Sequence, residues 1–184
     1  MQVIAEADGY ARLFNLLKTA EPDIILLDIS LPGKNGVDIL KELKQLYPRI
    51  KVLVLSMHPE DRYSVRAIKA GASGYITKDS AADQLVNAIR QIHQGGKFIT
   101  RALAEQLANS VEINGFKPLH EKLSDREFQI LCMIAAGLKI KVIASELSLS
   151  PATVATYRAR ILEKMQLKTN VDLANYVQRN NLSE

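Results

Sequence analysis

The stretch D-I-I-L-L-D-I-S-L-P-G-K-N-G, residues 23–36, decides the fold. Its first six residues are an apolar run closed at both ends by aspartate, and a proline, two glycines and an asparagine then crowd into positions 32–36. An apolar run of that length bounded by turn residues reads as a strand buried on both faces, the kind that parallel sheets contain. Asp28 closes the strand. In open parallel sheets ligands bind outside the carboxyl ends of the strands, so an acid at this point stands where chemistry is done.

Outward from there the same pattern recurs. Residues 3–5 read as a strand, 10–19 as a helix, 37–47 as a helix, and 51–56 (K-V-L-V-L-S) as a second buried strand. Residues 62–70 follow as a helix, 74–77 as a short strand and 81–94 as a helix. Four strands and four helices in strict alternation predict an α/β domain with a parallel sheet over residues 1–95. Gly95 and Gly96 stop the last helix, and residues 96–119 have weaker periodicity with Gly115 and Pro118 near their end. That stretch reads as a linker holding one short helix, 101–110. Beyond it the strand signal vanishes. Helices are expected at 125–136, stopped by Gly137, and at 140–147, 151–165 and 171–179, an all-α domain over 120–184.

Composition narrows the function classes. The 184 residues are 47% hydrophobic and 24% charged with a net charge of +4, which fits an ordinary globular protein. No apolar stretch approaches the roughly 18 residues of a spanning helix, and the first residues lack a signal-peptide layout, so the expectation is cytoplasmic, without a membrane partner. Cys132 is alone and cannot form an internal disulfide, and of the three histidines His58 lies near Ser56 while His93 and His120 are isolated. With no glycine-rich phosphate loop, triad spacing or metal-ligand cluster, an enzyme has little support.

Two constellations remain. Ser56 ends the second buried strand and Lys78 follows the last one, so a carboxylate, a hydroxyl and an ammonium converge on one rim. That set suits formation of an aspartyl phosphate, with Asp28 as nucleophile and Ser56 and Lys78 meeting the phosphoryl oxygens. Singly, each residue is ordinary: a helix cap, a turn residue, a solvated charge. Together, D-I-S-L-P-G-K-N-G from Asp28, L-V-L-S-M around Ser56 and G-A-S-G-Y-I-T-K-D around Lys78 resemble the receiver domain of bacterial two-component response regulators. The resemblance covers residues 2–95 and implies a flavodoxin-like fold. It makes Asp28 the phosphoacceptor for a sensor histidine kinase, Ser56 the switch hydroxyl, Tyr75 the switch aromatic and Lys78 the phosphoryl-site lysine. It also implies Mg²⁺, held in part by Asp28 and the backbone carbonyl of Ser30.

One departure stands out. Receivers begin with a strand that ends in an acidic pair holding the Mg²⁺, whereas this sequence starts at what looks like the family's second strand. Glu6 and Asp8, at the end of that strand, are not promoted to metal ligands. One strand–helix repeat, roughly 25–30 residues, is absent. In the strand order 2-1-3-4-5 the absent strand is internal, so residues 3–5 lose their partner. Either the sequence is a piece of a longer protein or the receiver is incomplete.

In the second constellation, Ser150-Pro151 is a helix start, with serine as cap and proline at the first helical position. The helix before it is closed by the tight Ser148-Leu149 turn, which gives a helix-turn-helix layout. Val154, Ile161 and Met165 mark the core face, and Thr153, Ala155, Thr156, Ala159 and Arg160 fall on or beside the opposite face. Arg158, Arg160, Lys164 and Lys168, with Lys139 and Lys141 ahead of them, form a basic stripe of the kind that meets DNA phosphates, and equally of the kind that covers a solvated helix. L-S-D-R-E-F-Q-I-L from Leu123, I-A-S-E-L-S-L-S from Ile143 and T-V-A-T-Y-R-A-R-I-L-E-K-M from Thr153 resemble the LuxR-type output domain of NarL/FixJ response regulators. That implies a phosphorylation-controlled transcription regulator that binds DNA as a homodimer, with residues 171–179 as dimer surface. A constitutive or partner-controlled DNA-binding protein with an unphosphorylated receiver remnant is the other reading. Phe128 and Cys132, spaced i,i+4 where the family is usually polar, read as a contact with the receiver or as an apolar pair.

Overall fold

The computed structural model describes residues 1–29, 34–57, 60–112, 118–180 and 182. In chain order the elements are α1 (Tyr10–Leu16), β1 (Ile24–Asp28), α2 (Gly36–Leu46), β2 (Lys51–Ser56), α3 (Glu60–Lys69), β3 (Gly74–Thr77), α4 (Lys78–His93) and α5 (Arg101–Glu112). A 3-10 turn at Leu119–Lys122 precedes α6 (Asp125–Ala135), α7 (Ile140–Glu146), α8 (Pro151–Met165) and α9 (Asn170–Arg179). Two compact units result, Met1–Gln106 and Leu107–Glu184, and the division falls inside α5. Of the residues marked as linker, Gly115 lies outside the described residues.

The first unit is built on a parallel sheet of order β1-β2-β3. Its register sets Leu26 against Leu53, Asp28 against Leu55, Val54 against Tyr75 and Ser56 against Thr77. Because side chains alternate between faces, Leu53 and Ile76 turn toward α4, where they bury with Ala88 and Ile92 and are ringed by Ile24, Leu55, Leu85, Ile89 and Phe98. Each fully buried Leu or Ile of such a cluster contributes roughly 1.5–3 kcal/mol, which makes this contact the main anchor of α4. Glycine is required at Gly74: a Cβ there would stand 2.7 Å from the carbonyl oxygen of Phe98, which runs beside β3.

The expected strand at residues 3–5 is not formed, so the sheet has three strands among the described residues and not four. A strand exists only where a neighbour takes up its N–H and C=O groups, and residues 1–7 have no such neighbour among the described residues. Val3 and Ile4 are accordingly 75% and 58% exposed. The outer edge of β1 is likewise unpaired among the described residues. Leu26 is 43% exposed, so β1 is not buried on both faces as its sequence suggested. Residues 1–7, β1, α1 and the end of α4 together line a groove of about 1090 Å³.

In the second unit, α8 packs on α6 and α7, and α9 packs on α6. Ser124 and Glu127 form a reciprocal capping box at the start of α6, as Thr169 and Asp172 do for α9. Ser150 caps α8 with Pro151 at its first position. Ser148 takes a left-handed conformation (φ 53°) in the turn between α7 and α8. Phe128 and Cys132 are both buried, and the Phe128 ring lies 6.1 Å from that of His120, which is itself 5.9 Å from Tyr176. The apolar pair therefore belongs to the core of this unit.

Candidate functional site

Asp28 is the last residue of β1, and Lys78 is the first residue of α4, directly after β3. Thr77 caps α4 by accepting from the backbone N–H of Ser80, which fixes where the lysine leaves the sheet. From there Lys78 Nζ donates to Asp28 Oδ2 at 2.6 Å. The two side chains are 37% and 27% exposed. An ion pair this open contributes only about 0–1 kcal/mol, so stability is not what the arrangement offers. It offers an accessible carboxylate with a cation beside it. Between the two strands, Ser56 ends β2 fully buried, one register place beyond the Leu55 that faces Asp28. Tyr75, two residues before Thr77, is also fully buried.

Among the described residues no three His, Cys, Asp or Glu side chains gather into a group that could hold a metal ion. Ser30 and His58 lie outside the described residues. Asp8 pairs with Arg12 at 3.7 Å, and Glu6 is exposed. Of the ligands that the resemblance implies for Mg²⁺, the described residues supply Asp28 alone, already engaged by Lys78. Mg²⁺ is usually held by one or two carboxylates with phosphate oxygens and water, so this set does not by itself make up the site.

A cluster that the sequence did not announce lies beyond Asp28. Lys34 bonds to Glu42 Oε2, Tyr10 Oη donates to Glu42 Oε1 at 2.6 Å, and the Lys34 ammonium stands 4.1 Å from the centre of the Tyr10 ring. The pairing lowers the Glu42 carboxyl below its ordinary pKa, chiefly through the Lys34 bond, and ties α1 to the body of α2. Separately, Gly36 lets the start of α2 close onto Ile29, the residue after β1, since a Cβ there would meet Ile29 Cα at 2.4 Å.

On α8, Val154, Ile161 and Met165 are fully buried, while Ala155, Thr156, Ala159 and Arg160 are exposed on the opposite face. Lys139, Lys141 and Lys168 are exposed as well. Thr153 is half-buried and bonded through Oγ1 to Ser150 at 2.8 Å. Thr156 donates its hydroxyl proton to the Ala152 carbonyl at 3.0 Å, which leaves oxygen lone pairs facing out. Two of the basic residues have partners within the unit: Arg158 Nε donates to Asn170 Oδ1 at 2.6 Å, and Lys164 Nζ to Glu127 Oε2 at 2.6 Å. Glu127 is buried. Burial pushes its carboxyl up, but the bonds from Lys164 and from the N–H and hydroxyl of Ser124 outweigh that and hold it below the usual carboxylate range. Charge patterning alone did not indicate that Lys164 would face a buried acid.

Residues 1–90 match the family described as the response regulator receiver domain, and residues 121–177 match the luxR family of bacterial regulatory proteins. The chain is similar to the response regulator GacA of Pseudomonas aeruginosa, 38% identical over 179 residues, or 95% of this chain and 82% of that protein. It is 32% identical over 183 residues to the response regulator UvrY of Escherichia coli, covering 99% of this chain and 84% of that one. Among solved structures, RcsB from Salmonella enterica serovar Typhimurium bound to promoter rprA with the phosphomimetic BeF3⁻ superposes with a TM-score of 0.60 at 22% identity, covering 96% of this chain and 85% of that chain. A structure of two RcsB dimers bound to two parallel DNAs gives 0.55 at 22% identity, with 96% and 84% covered. Those likenesses extend the fold match across both units.

Proposed function

The chain belongs to the response regulators that join a receiver domain to a LuxR-type DNA-binding domain, and from that premise we propose a transcription regulator whose receiver senses phosphorylation at Asp28. The observation that carries this is the contact of Lys78 with Asp28 at 2.6 Å on the carboxyl rim of the sheet, with Ser56 ending the strand between them. A phosphoryl group on Asp28 adds negative charge where an ammonium already stands. Ser56 offers a hydroxyl to its oxygens, and Tyr75, buried in β3 two residues before its end, responds as the switch aromatic. The phosphate comes from a sensor histidine kinase. In this reading 1–95 is the receiver, 96–119 the linker and 120–184 the output domain.

In the output domain α8 enters the major groove with Ala155, Thr156 and Ala159 toward the bases, Arg160 at the edge of that face and Thr153 near the backbone. Arg158, Lys139, Lys141, Lys168 and Arg160 supply the cationic stripe for phosphates. Two copies bind paired half-sites, with α9 as the surface between output domains, where Val171 is 67% exposed. The protein works by binding and not as an enzyme. It resides in the cytoplasm, in keeping with the finding that no helix among the described residues is long and apolar enough to cross a membrane.

A second reading is favoured by one observation, the lack of a metal-holding acidic group beside Asp28 among the described residues. There the receiver unit associates with a partner, and DNA binding does not depend on phosphate. A footprint of the chain on promoter DNA from its own genome, with and without a phosphodonor and Mg²⁺, tests both. Phosphodonor-enhanced protection supports the first reading, donor-independent protection the second, and no protection defeats DNA binding itself.

A further inference from the structure

Arg126 and Glu127, neighbours in the first turn of α6, each reach a different helix of the helix-turn-helix. Arg126 Nη2 donates to the carbonyl of Leu147 at 2.9 Å, and Leu147 is the residue that caps the C-terminus of α7. Its Nη1 is held by Gln129 Oε1 at 2.8 Å, which fixes the direction of the guanidinium. Glu127 turns into the unit, its side chain 4% exposed, and takes Lys164 from the last turn of α8 together with the N–H of Ser124 at 2.8 Å.

The physical roles of these contacts differ from those of the surrounding core. Val154, Ile161 and Met165 hold α8 down by burial, which is non-directional and tolerates small rotations of a helix about its axis. Hydrogen bonds to a carbonyl and to a carboxylate weaken steeply once misaligned, so they fix the angle that apolar packing leaves loose. A buried carboxylate also cannot release its cation cheaply, because removing one partner of a buried pair leaves an uncompensated charge. Lys164, though its side chain is 42% exposed, thus has its ammonium held at Glu127 and not free for a phosphate.

We propose that Arg126 and the Glu127–Lys164 pair form a clamp, built from one turn of α6, that sets how α7 and α8 are presented to DNA, and that Lys164 is a positioning residue and not a phosphate contact. This rests on the DNA-binding reading above. The test uses the full chain and a mixed-sequence 30-base-pair duplex, at a temperature where circular dichroism shows each variant folded. Lys164→Met, Glu127→Gln and Arg126→Met each weaken binding, by roughly tenfold, without changing the slope of log affinity against log salt. The Lys164→Met/Glu127→Gln double variant weakens it no further than either single one, because residues acting as a unit are not additive. A slope flattened by about 0.9 in Lys164→Met, with affinity unchanged in Glu127→Gln, identifies a phosphate contact and overturns the proposal. Should the wild-type chain bind no duplex even at low salt, the DNA-binding reading fails, and the clamp is judged on unfolding. Each single variant then lowers Tm by roughly 4–8 °C and the double by no more, whereas additive shifts overturn it.

Discussion

Lys78 and Asp28 lie 50 residues apart in the chain and on either side of β2, yet their charged groups meet at 2.6 Å. The contact follows from the register and from the Thr77 cap, which releases Lys78 at the rim. Asp28 presents an accessible carboxylate at the rim, but a carboxylate alone repels a phosphodonor, and transfer to it needs positive charge on the incoming oxygens. Lys78 is one such charge. The described residues supply no acidic group for a second, so the chain is expected to take up little label from acetyl phosphate in the presence of Mg²⁺, and Asp28→Asn is expected to remove what label there is. Stoichiometric, Mg²⁺-dependent labelling of the 184-residue chain would overturn this expectation.

Glu127 gives the output unit a pH signature. Its carboxyl is held below the ordinary value of 4.5 by Lys164 and Ser124. A depressed folded-state pKa means that the unfolded chain takes up the proton first as pH falls. The stabilisation is therefore present in full above about 4.5 and is lost as pH drops below it through the folded value. Acid titrations followed by circular dichroism should show the gap between wild type and Glu127→Gln wide at pH 6 and closing below pH 4.5. A gap constant down to pH 3 would mean that the carboxylate charge contributes nothing.

The division between the two units falls inside α5, within residues 96–119, and chymotrypsin has Phe98 and Phe116 in that stretch. Limited digestion is expected to release a C-terminal fragment of about 65–70 residues that keeps its helical circular dichroism, a size at which many domains fold alone. Loss of the C-terminal fragment before the N-terminal one would contradict an independent output domain.

What the sequence made legible is local or periodic. The strand ending at Asp28, the helix capped by Ser150 and stopped after Met165, and the core line Val154, Ile161, Met165 all follow from apolar spacing and cap chemistry. Residues 3–5 read as a strand for the same reason, and that reading failed because pairing is not local: the β-branched pattern was present but no neighbour was. Glu127 escaped notice although its spacing from Ser124 is that of the capping box it forms; its second bond, to Lys164 37 positions on, leaves no periodic trace. The Tyr10–Glu42–Lys34 cluster was hidden likewise, since Tyr10 and Glu42 are 32 positions apart.

Base reading and phosphate contact on α8 should separate under salt. Arg160 is exposed on the outward face, so Arg160→Ala is expected to weaken all duplexes alike and to flatten the salt slope by about 0.9, the signature of one neutralised phosphate. Thr156 is different. Its hydroxyl proton is spent on the Ala152 carbonyl, so the oxygen can only accept, and the base edges that offer a proton in the major groove are the amino groups of adenine and cytosine. Thr156→Ala should leave the slope and the affinity for random DNA intact while costing roughly 1–3 kcal/mol on the preferred site, with relaxed choice at one position. Selection of binding sites from a randomised duplex pool by wild type and Thr156→Ala decides the matter. Identical selected sequences would remove Thr156 from base reading and leave the thymine-methyl contacts open to Ala155 and Ala159 to supply specificity on this face.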